Sequence, residues 1–222
     1  MALAAYDPHA DWYEEYVRGP VAGFTERMQR IVADLLGPGG GRCLDVCCGT
    51  GILAAPLRAR GWDPVGVDIS RGQLGYAARH MPVAAGDATA LPVRDGSVPA
   101  AVCVLAHTDV PDYAALLREV ARVLRPGGRF VHLGVHPCFT GVFADRRDPA
   151  RIVIDDRYAS RAHTFDTWCP AGVRARVGAW HVPLADLLNG VREAGLRVER
   201  VAENGPGGVP DLLGLLAMAS SG

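Results

Sequence analysis

Residues 42–51 read R-C-L-D-V-C-C-G-T-G. Residues 42–46 form a short apolar run interrupted by Asp45, and the glycines at 49 and 51 break that run into a turn. A buried strand is expected over 42–46, with a helix opening at Ile52. Such a junction gathers free backbone N–H groups at one point. In an open α/β sheet it is where a nucleotide-like ligand sits. The chain that follows keeps the same rhythm. A helix is expected over 52–60, a strand over 64–70, a helix over 71–80, and a short strand over 82–85. Residues 98–105 form an apolar run with little alternation, as a strand covered on both faces does. A helix over 113–124 then leads through Pro126-Gly127-Gly128 into a fifth strand. Strands alternating with helices in this way imply a parallel sheet covered on both sides.

Asp45 decides which ligand suits the turn. Gly49, Gly51 and Ala54 match the G-x-G-x-x-A spacing of dinucleotide sites. A carboxylate on the strand just before the turn, however, would repel a pyrophosphate by about a few kcal/mol at moderate dielectric. It suits a ligand that carries an ammonium and a sulfonium and has no phosphate. S-adenosylmethionine (SAM) is such a ligand. Asp68 closes the second strand, where a carboxylate accepts both hydroxyls of a ribose, whether of NAD or of SAM. Its other reading, the cap of the next helix, falls equally well to Ser70.

The bulk properties narrow the class. With 222 residues the chain is long enough for one domain with a sizeable core. A formal net charge of -1 and the lack of any Lys/Arg block argue against nucleic acid or an acidic membrane surface as partner. No apolar run approaches a membrane span, and residues 1–15 lack the basic and apolar regions of a secretory signal. The six cysteines form no C-x-x-C pair and no Cys/His zinc spacing. A cytoplasmic location without a metal is therefore expected. His107, Asp109, His132 and His136 likewise lack a compact ligand spacing.

Three motifs in order, L-D-V-C-C-G-T-G at 44–51, V-G-V-D at 65–68 and G-D-A-T-A-L-P at 86–92, resemble the class I SAM-dependent methyltransferases, in a small-molecule, bacterial form. L-L-R-E-V-A-R-V-L-R-P-G-G-R-F at 116–130 is also typical of that family, and the likeness runs from Arg42 nearly to the end. The resemblance implies a single Rossmann-like, three-layer α/β domain over residues 1–222, its seven-stranded sheet mostly parallel with one antiparallel strand. It places Asp45, Cys47, Gly49 and Gly51 along the first part of the cofactor. Asp68 falls at the ribose and Asp87 and Ala88 at the adenine, and Ile69 and Leu105 complete the cofactor-binding set. Cys47 stands where the family usually has glycine, which is tolerable only at negative φ.

The flanking segments carry the acceptor candidates. Residues 10–36 read as two helices broken at Gly19-Pro20, and residues 1–40 are expected to form a helical lid. Trp12, Tyr13 and Tyr16 on the first helix either pack on the core or cover the ligand. Regular periodicity fades from 136 to 182. A long irregular insert of this kind commonly forms a cap. Residues 136–180 hold seven arginines, five aspartates and several aromatics including Trp168. That composition suits an organic acceptor, and the arginine excess points to an anionic or carboxylated one. Tyr13, Tyr16 and Trp168 are the substrate candidates, and His107 and His136 the candidate bases. The expected reaction is in-line methyl transfer from SAM to a small organic acceptor. The alternatives are a SAM-binding protein that transfers no methyl group, and an NAD-dependent oxidoreductase. The sequence leaves the oligomeric state open.

Overall fold

The computed structural model describes residues 4–148, 151–167 and 169–220. After a 3-10 turn at Asp7–His9 come helices α1 (Ala10–Arg18) and α2 (Ala22–Leu36), parted at Gly19-Pro20. Strand β1 (Arg42–Val46) leads through the glycine turn into α3 (Ala54–Ala59), then β2 (Asp63–Asp68), α4 (Arg71–Ala77) and β3 (Val83–Ala85). Strand β4 (Val98–Val104), helix α5 (Tyr113–Val123) and strand β5 (Leu124–Val135) follow. The insert carries β6 (Ala144–Asp145), β7 (Val153–Ile154) and α6 (Arg174–Val177), and α7 (Leu184–Glu193), β8 (Leu196–Asn204) and β9 (Leu212–Ala219) end the fold.

The seven long strands are ordered β3-β2-β1-β4-β5-β9-β8. Only β9 runs against the others, pairing antiparallel with both β5 and β8. The α/β class and the single reversed strand match the sequence reading. Side chains alternate across the sheet as the two-residue period demands. Cys43, Ala100, Val102, Val131 and Leu133 pack with Met28, Val32 and Leu36 of α2 and Leu57 of α3. Leu44, Ala101, Cys103 and Phe130 pack on the other face with Leu116, Leu117 and Val120 of α5 and Leu187 and Val191 of α7. Two covered faces make three layers. Ser70 caps α4 by accepting the Gln73 N–H, and Asp112 caps α5 by accepting the Ala115 N–H.

Several boundaries differ from the sequence reading. Residues 52 and 53 belong to the turn, so α3 opens at Ala54, and α4 stops at Ala77 instead of running to residue 80. On α7, Leu187 and Val191 are buried while Leu188 is 38% exposed, although its spacing with Leu184 and Val191 is that of an inward face. Residues 136–182 are also less irregular than expected. A small hairpin (β6 paired antiparallel with β7), a 3-10 turn at Asp156–Ala159, helix α6 and a bridge between Thr164 and Ala179 organise them.

Gly134 near the end of β5 is set by close approach. A Cβ built there would stand 2.5 Å from His107 Nδ1 and 3.1 Å from His132 Nε2. Gly134→Ala is therefore expected to displace the His107 ring and cost about 1–3 kcal/mol of stability, the usual price of overpacking. Urea denaturation measures it, and an unchanged midpoint would show that His107 is free to move aside.

Candidate active site

The order of the sheet reverses at β1, whose neighbours are β2 on one side and β4 on the other. Chain connections diverge there and open a crevice beyond the C-terminal strand ends. Asp68 holds the two sides of the first turn together. Its Oδ2 accepts the Gly49 N–H at 2.9 Å and its Oδ1 accepts the Ser70 N–H at 2.8 Å. Each oxygen retains capacity for a second bond. Gly49 and Gly51 have φ of +55° and +81°, and a Cβ on Gly51 would come within 3.0 Å of Ala77 Cα. Both glycines are thus required by backbone geometry.

Asp45 is buried at 1% exposure, and its Oδ2 has no hydrogen-bond partner among the described residues. Burial, followed by the nearby Asp68, pushes its carboxyl up to about 8, and no cation offsets either effect. Thr50 Oγ1 beside it is also unpartnered. Both border a narrow cavity of about 30 Å³ that is also lined by Tyr13, Cys47, Gly49 and Leu105. A buried carboxylate without a partner costs stability until a cation or donor reaches it.

The expectation of negative φ at Cys47 is overturned. Cys47 has φ +59°, and Leu105 across the crevice has the same value. The αL conformation costs a non-glycine residue about 1–2 kcal/mol, and here both strained residues flank one crevice. Hydrogen bonding to Cys103, then burial, holds the Cys47 thiol protonated. It is no nucleophile at neutral pH.

The remaining predicted residues are distributed as follows. Ile69 presents an apolar side chain, 54% exposed, next to Asp68. Ala88 packs into the core, while exposed Asp87 spends one oxygen on a turn, accepting the Thr89 N–H and hydroxyl at 2.8 Å each. Tyr13 lines the narrow cavity. Tyr16 lines neither cavity described here and stacks on Trp12, with ring centroids 4.9 Å apart. Trp168 lies outside the described residues.

The two histidine candidates separate. His136 Nδ1 accepts the Cys138 N–H at 3.1 Å, which leaves Nε2 to donate to Glu203 at 2.8 Å. With both nitrogens engaged it has no lone pair for a substrate proton, and it is withdrawn as a base. His107 is 2% exposed with Nδ1 unpartnered among the described residues. Burial, then the neighbouring His132, His181 and Arg174, holds its pKa well below the usual value, so it is neutral at physiological pH. His132 beneath it is structural, its Nδ1 2.7 Å from the Tyr113 hydroxyl.

A larger cavity of about 260 Å³ is lined by His107, two residues along the chain from Leu105 on the wall of the narrow one. Insert residues Phe143, Arg174, Trp180 and His181 form much of its wall. Sequence reading singled out neither Arg174 nor His181. The only available signal was the arginine excess of the insert, which does not say which arginine lacks a partner. The N-terminal segment closes over the same end of the sheet. Asp7 accepts from the Ser70 hydroxyl at 2.7 Å and the Gly72 N–H at 3.0 Å, and the Tyr6 hydroxyl meets Asp109 at 3.2 Å. Arg176 of the insert lies 4.1 Å from the ring centre of Trp12.

Comparison with known proteins agrees with this geometry. Residues 43–128 match the family model for a methyltransferase domain. The match, the relatives and the solved structures together support a class I, SAM-dependent methyltransferase. It is 39% identical over 122 residues to a demethylmenaquinone methyltransferase of Renibacterium salmoninarum, covering 53% of this chain and 52% of that one. A protein of the same name from Corynebacterium kroppenstedtii is 35% identical over 151 residues, with 62% of this chain and 66% of that one covered. The chain thus spans about half the length of most of the curated relatives it matches. Among solved structures, a SAM-dependent methyltransferase of Mesorhizobium loti superposes with a TM-score of 0.71 at 24% identity, over 85% of this chain and 96% of that one. The cyclase SpnF superposes with a TM-score of 0.63 at 20% identity, over 88% and 82%. These structural likenesses bear on fold. Among the described residues, no helix is long and apolar enough to cross a membrane.

The elevated Asp45 carboxyl makes stability depend on pH. Between the ordinary carboxylate pKa of about 4 and the folded value of about 8, the folded chain keeps a proton that the unfolded chain gives up. Stability of the ligand-free protein should therefore fall as pH rises through that window. Melting curves at pH 5 and pH 8 should show the lower Tm at pH 8, and Asp45→Asn should shrink the gap. An identical gap in the variant would mean that Asp45 is already ionised.

Proposed function

We propose that the protein transfers the methyl group of SAM to a small organic acceptor, with the cofactor in the crevice above residues 46–51 and the acceptor in the larger cavity that His107 lines. The observation that carries this reading is Asp45, a buried carboxylate with an unpartnered oxygen and no cation beside it. A sulfonium or ammonium supplies the missing charge, whereas a pyrophosphate would add repulsion. The donor set fits the rest of the cofactor. Asp68 has acceptor capacity left for ribose hydroxyls, Ile69 offers an apolar surface to a base, and Asp87 keeps its second oxygen for a ring amine.

When bound, SAM supplies an electrophilic methyl carbon on a positively charged sulfur. The chain's contribution is position and exclusion of water. Leu105 and Cys47, both held at positive φ, form part of the wall of the narrow cavity. His107 presents an uncharged nitrogen to the acceptor, and it serves as the proton acceptor where the acceptor arrives protonated. Tyr13 roofs a crevice of about 30 Å³, too small for a nucleoside. Cofactor entry therefore requires α1 to shift, so residues 1–40 act as a lid and residues 136–182 as a cap.

The relatives' shared name points to a ring compound as acceptor. The family-model match ends at Gly128, before the insert begins, so the acceptor itself must be read from the cavity.

Titration calorimetry against SAM, S-adenosylhomocysteine and NADH tests the cofactor. Asp68→Ala should weaken S-adenosylhomocysteine by about 1–3 kcal/mol, a loss of roughly 5- to 150-fold, through two buried hydrogen-bonding oxygens. Asp87→Ala should fall at the low end of that range, because its carboxylate is exposed. NADH binding in preference to SAM would overturn the reading. Tight SAM binding with no transfer from labelled SAM to phenols, amines or carboxylates would favour a SAM-binding protein that does other chemistry.

A further inference from the structure

Resting on that assignment of the two cavities, the wall of the larger one gives the acceptor a chemical class. Two arginines line this cavity, Arg157 and Arg174, and only the first has an acidic partner among the described residues. Arg157 is held by Asp155 at 2.6 Å, and Arg161 is held by Asp186 at 2.5 Å. Arg174 makes no ion pair within 4 Å among the described residues, and it faces the cavity half-buried. Asp109 acts on it through space only, and that carboxylate is already engaged by the Tyr6 hydroxyl. Asp166, the one acid on the cavity wall, is exposed and lies close enough to Arg157 to act on it. Among the described residues, the cavity wall therefore contains one guanidinium that no carboxylate contacts directly.

Two neutral imidazoles stand with it. His107 Nδ1 and His181 Nε2 are both buried and unpartnered among the described residues, and both rings line the cavity. Arg174 is near enough to each to disfavour its charged form. These unmet atoms are themselves closed off and cost stability, while the two rings line the cavity as uncharged groups able to hydrogen-bond. The remaining wall is aromatic, from Phe143 and Trp180. A volume of about 260 Å³ lies just under the range of about 300–1,000 Å³ for drug-sized ligands. That leaves room for one or two rings and none for a long alkyl tail.

We propose that the acceptor is a compact hydroxylated aromatic acid whose carboxylate pairs with Arg174 and whose hydroxyl reaches His107. A guanidinium recognises a carboxylate through two parallel N–H···O bonds, so the contact selects both charge and orientation. The carboxylate is the handle and the hydroxyl the methylated group. Oxygen bonds to the methyl carbon as the sulfur–carbon bond breaks, the electron pair stays on sulfur, and the hydroxyl proton passes to His107. Arg174 thereby acts as a specificity-determining residue.

Calorimetry on the full chain saturated with S-adenosylhomocysteine provides the test. The probes are salicylate, 4-hydroxybenzoate and 1-hydroxy-2-naphthoate, each paired with its neutral amide. At least one acid should bind with Kd under about 1 mM, and its amide at least about tenfold more weakly, as expected when a charge-assisted contact is lost. Arg174→Gln should raise the Kd of that acid about tenfold or more while leaving amide and S-adenosylhomocysteine affinities within about twofold. Arg174→Lys, which keeps the charge without the fork, should fall between. Equal binding of acids and amides, no binding of any acid, or an Arg174→Gln effect on neither would overturn the proposal. So would loss of S-adenosylhomocysteine affinity in Arg174→Gln, which would assign Arg174 to the cofactor. Failure of S-adenosylhomocysteine to bind the wild type would instead sink the cofactor assignment, and the acid-to-amide ratio measured without it would still decide the cavity.

Discussion

Asp68 accepts one backbone N–H from the turn after β1 and another from the turn after β2. Those two bonds close the first βαβ unit at its ligand end. They keep Gly49 at positive φ, set the path into α3 and place Ser70 to cap α4. A carboxylate so committed to backbone donors is rigid, and its remaining lone pairs point where the fold dictates. Asp45, one strand earlier, has the opposite character, being buried and short of partners. The pair divides the work. One acid builds the turn, and the other leaves an electrostatic vacancy beside it.

That vacancy is tolerated because the surrounding core is extensive. The sheet is covered on both faces by separate clusters, one with α2 and α3 and one with α5 and α7. A domain with such a core can carry a few unmet polar atoms and two residues in the αL region. Their location is informative. Asp45, Thr50, Cys47 and Leu105 all border the same narrow cavity, which brings two unmet polar atoms and two αL residues together.

The sheet and its ligand end were legible in the sequence because they follow from local rules. Apolar runs of five to seven residues, glycines at fixed offsets and acids closing successive strands each have one economical reading. Helix ends were less legible. Residues 52–53 and 78–80 are hydrophobic or helix-compatible, yet turn geometry excludes them from α3 and α4. Cys47 was misread for a related reason. Its positive φ falls at the first residue of the turn after β1, and the glycine usual at that place in the resembling family was the signal for it. His136 illustrates the harder limit. Its position after β5 suggested a base, and only the fold reveals Glu203 and the Cys138 amide occupying both nitrogens.

The insert is where sequence reading ends, since its meaning depends on pairing between residues far apart in the chain. Composition gives seven arginines and five aspartates over residues 136–180. It does not say that Asp155 takes Arg157, that Asp186 of α7 takes Arg161, or that Arg174 on the cavity wall has no ion pair among the described residues. Tyr6 contributes from the opposite end by engaging Asp109, the acid within electrostatic reach of Arg174. The same N-terminal segment places Tyr13 over the cofactor crevice and Trp12 under Arg176. On the proposed reading, a shift of this segment to admit a cofactor would disturb Asp109 and the insert together, linking the filling of the narrow cavity to the charge balance of the larger one.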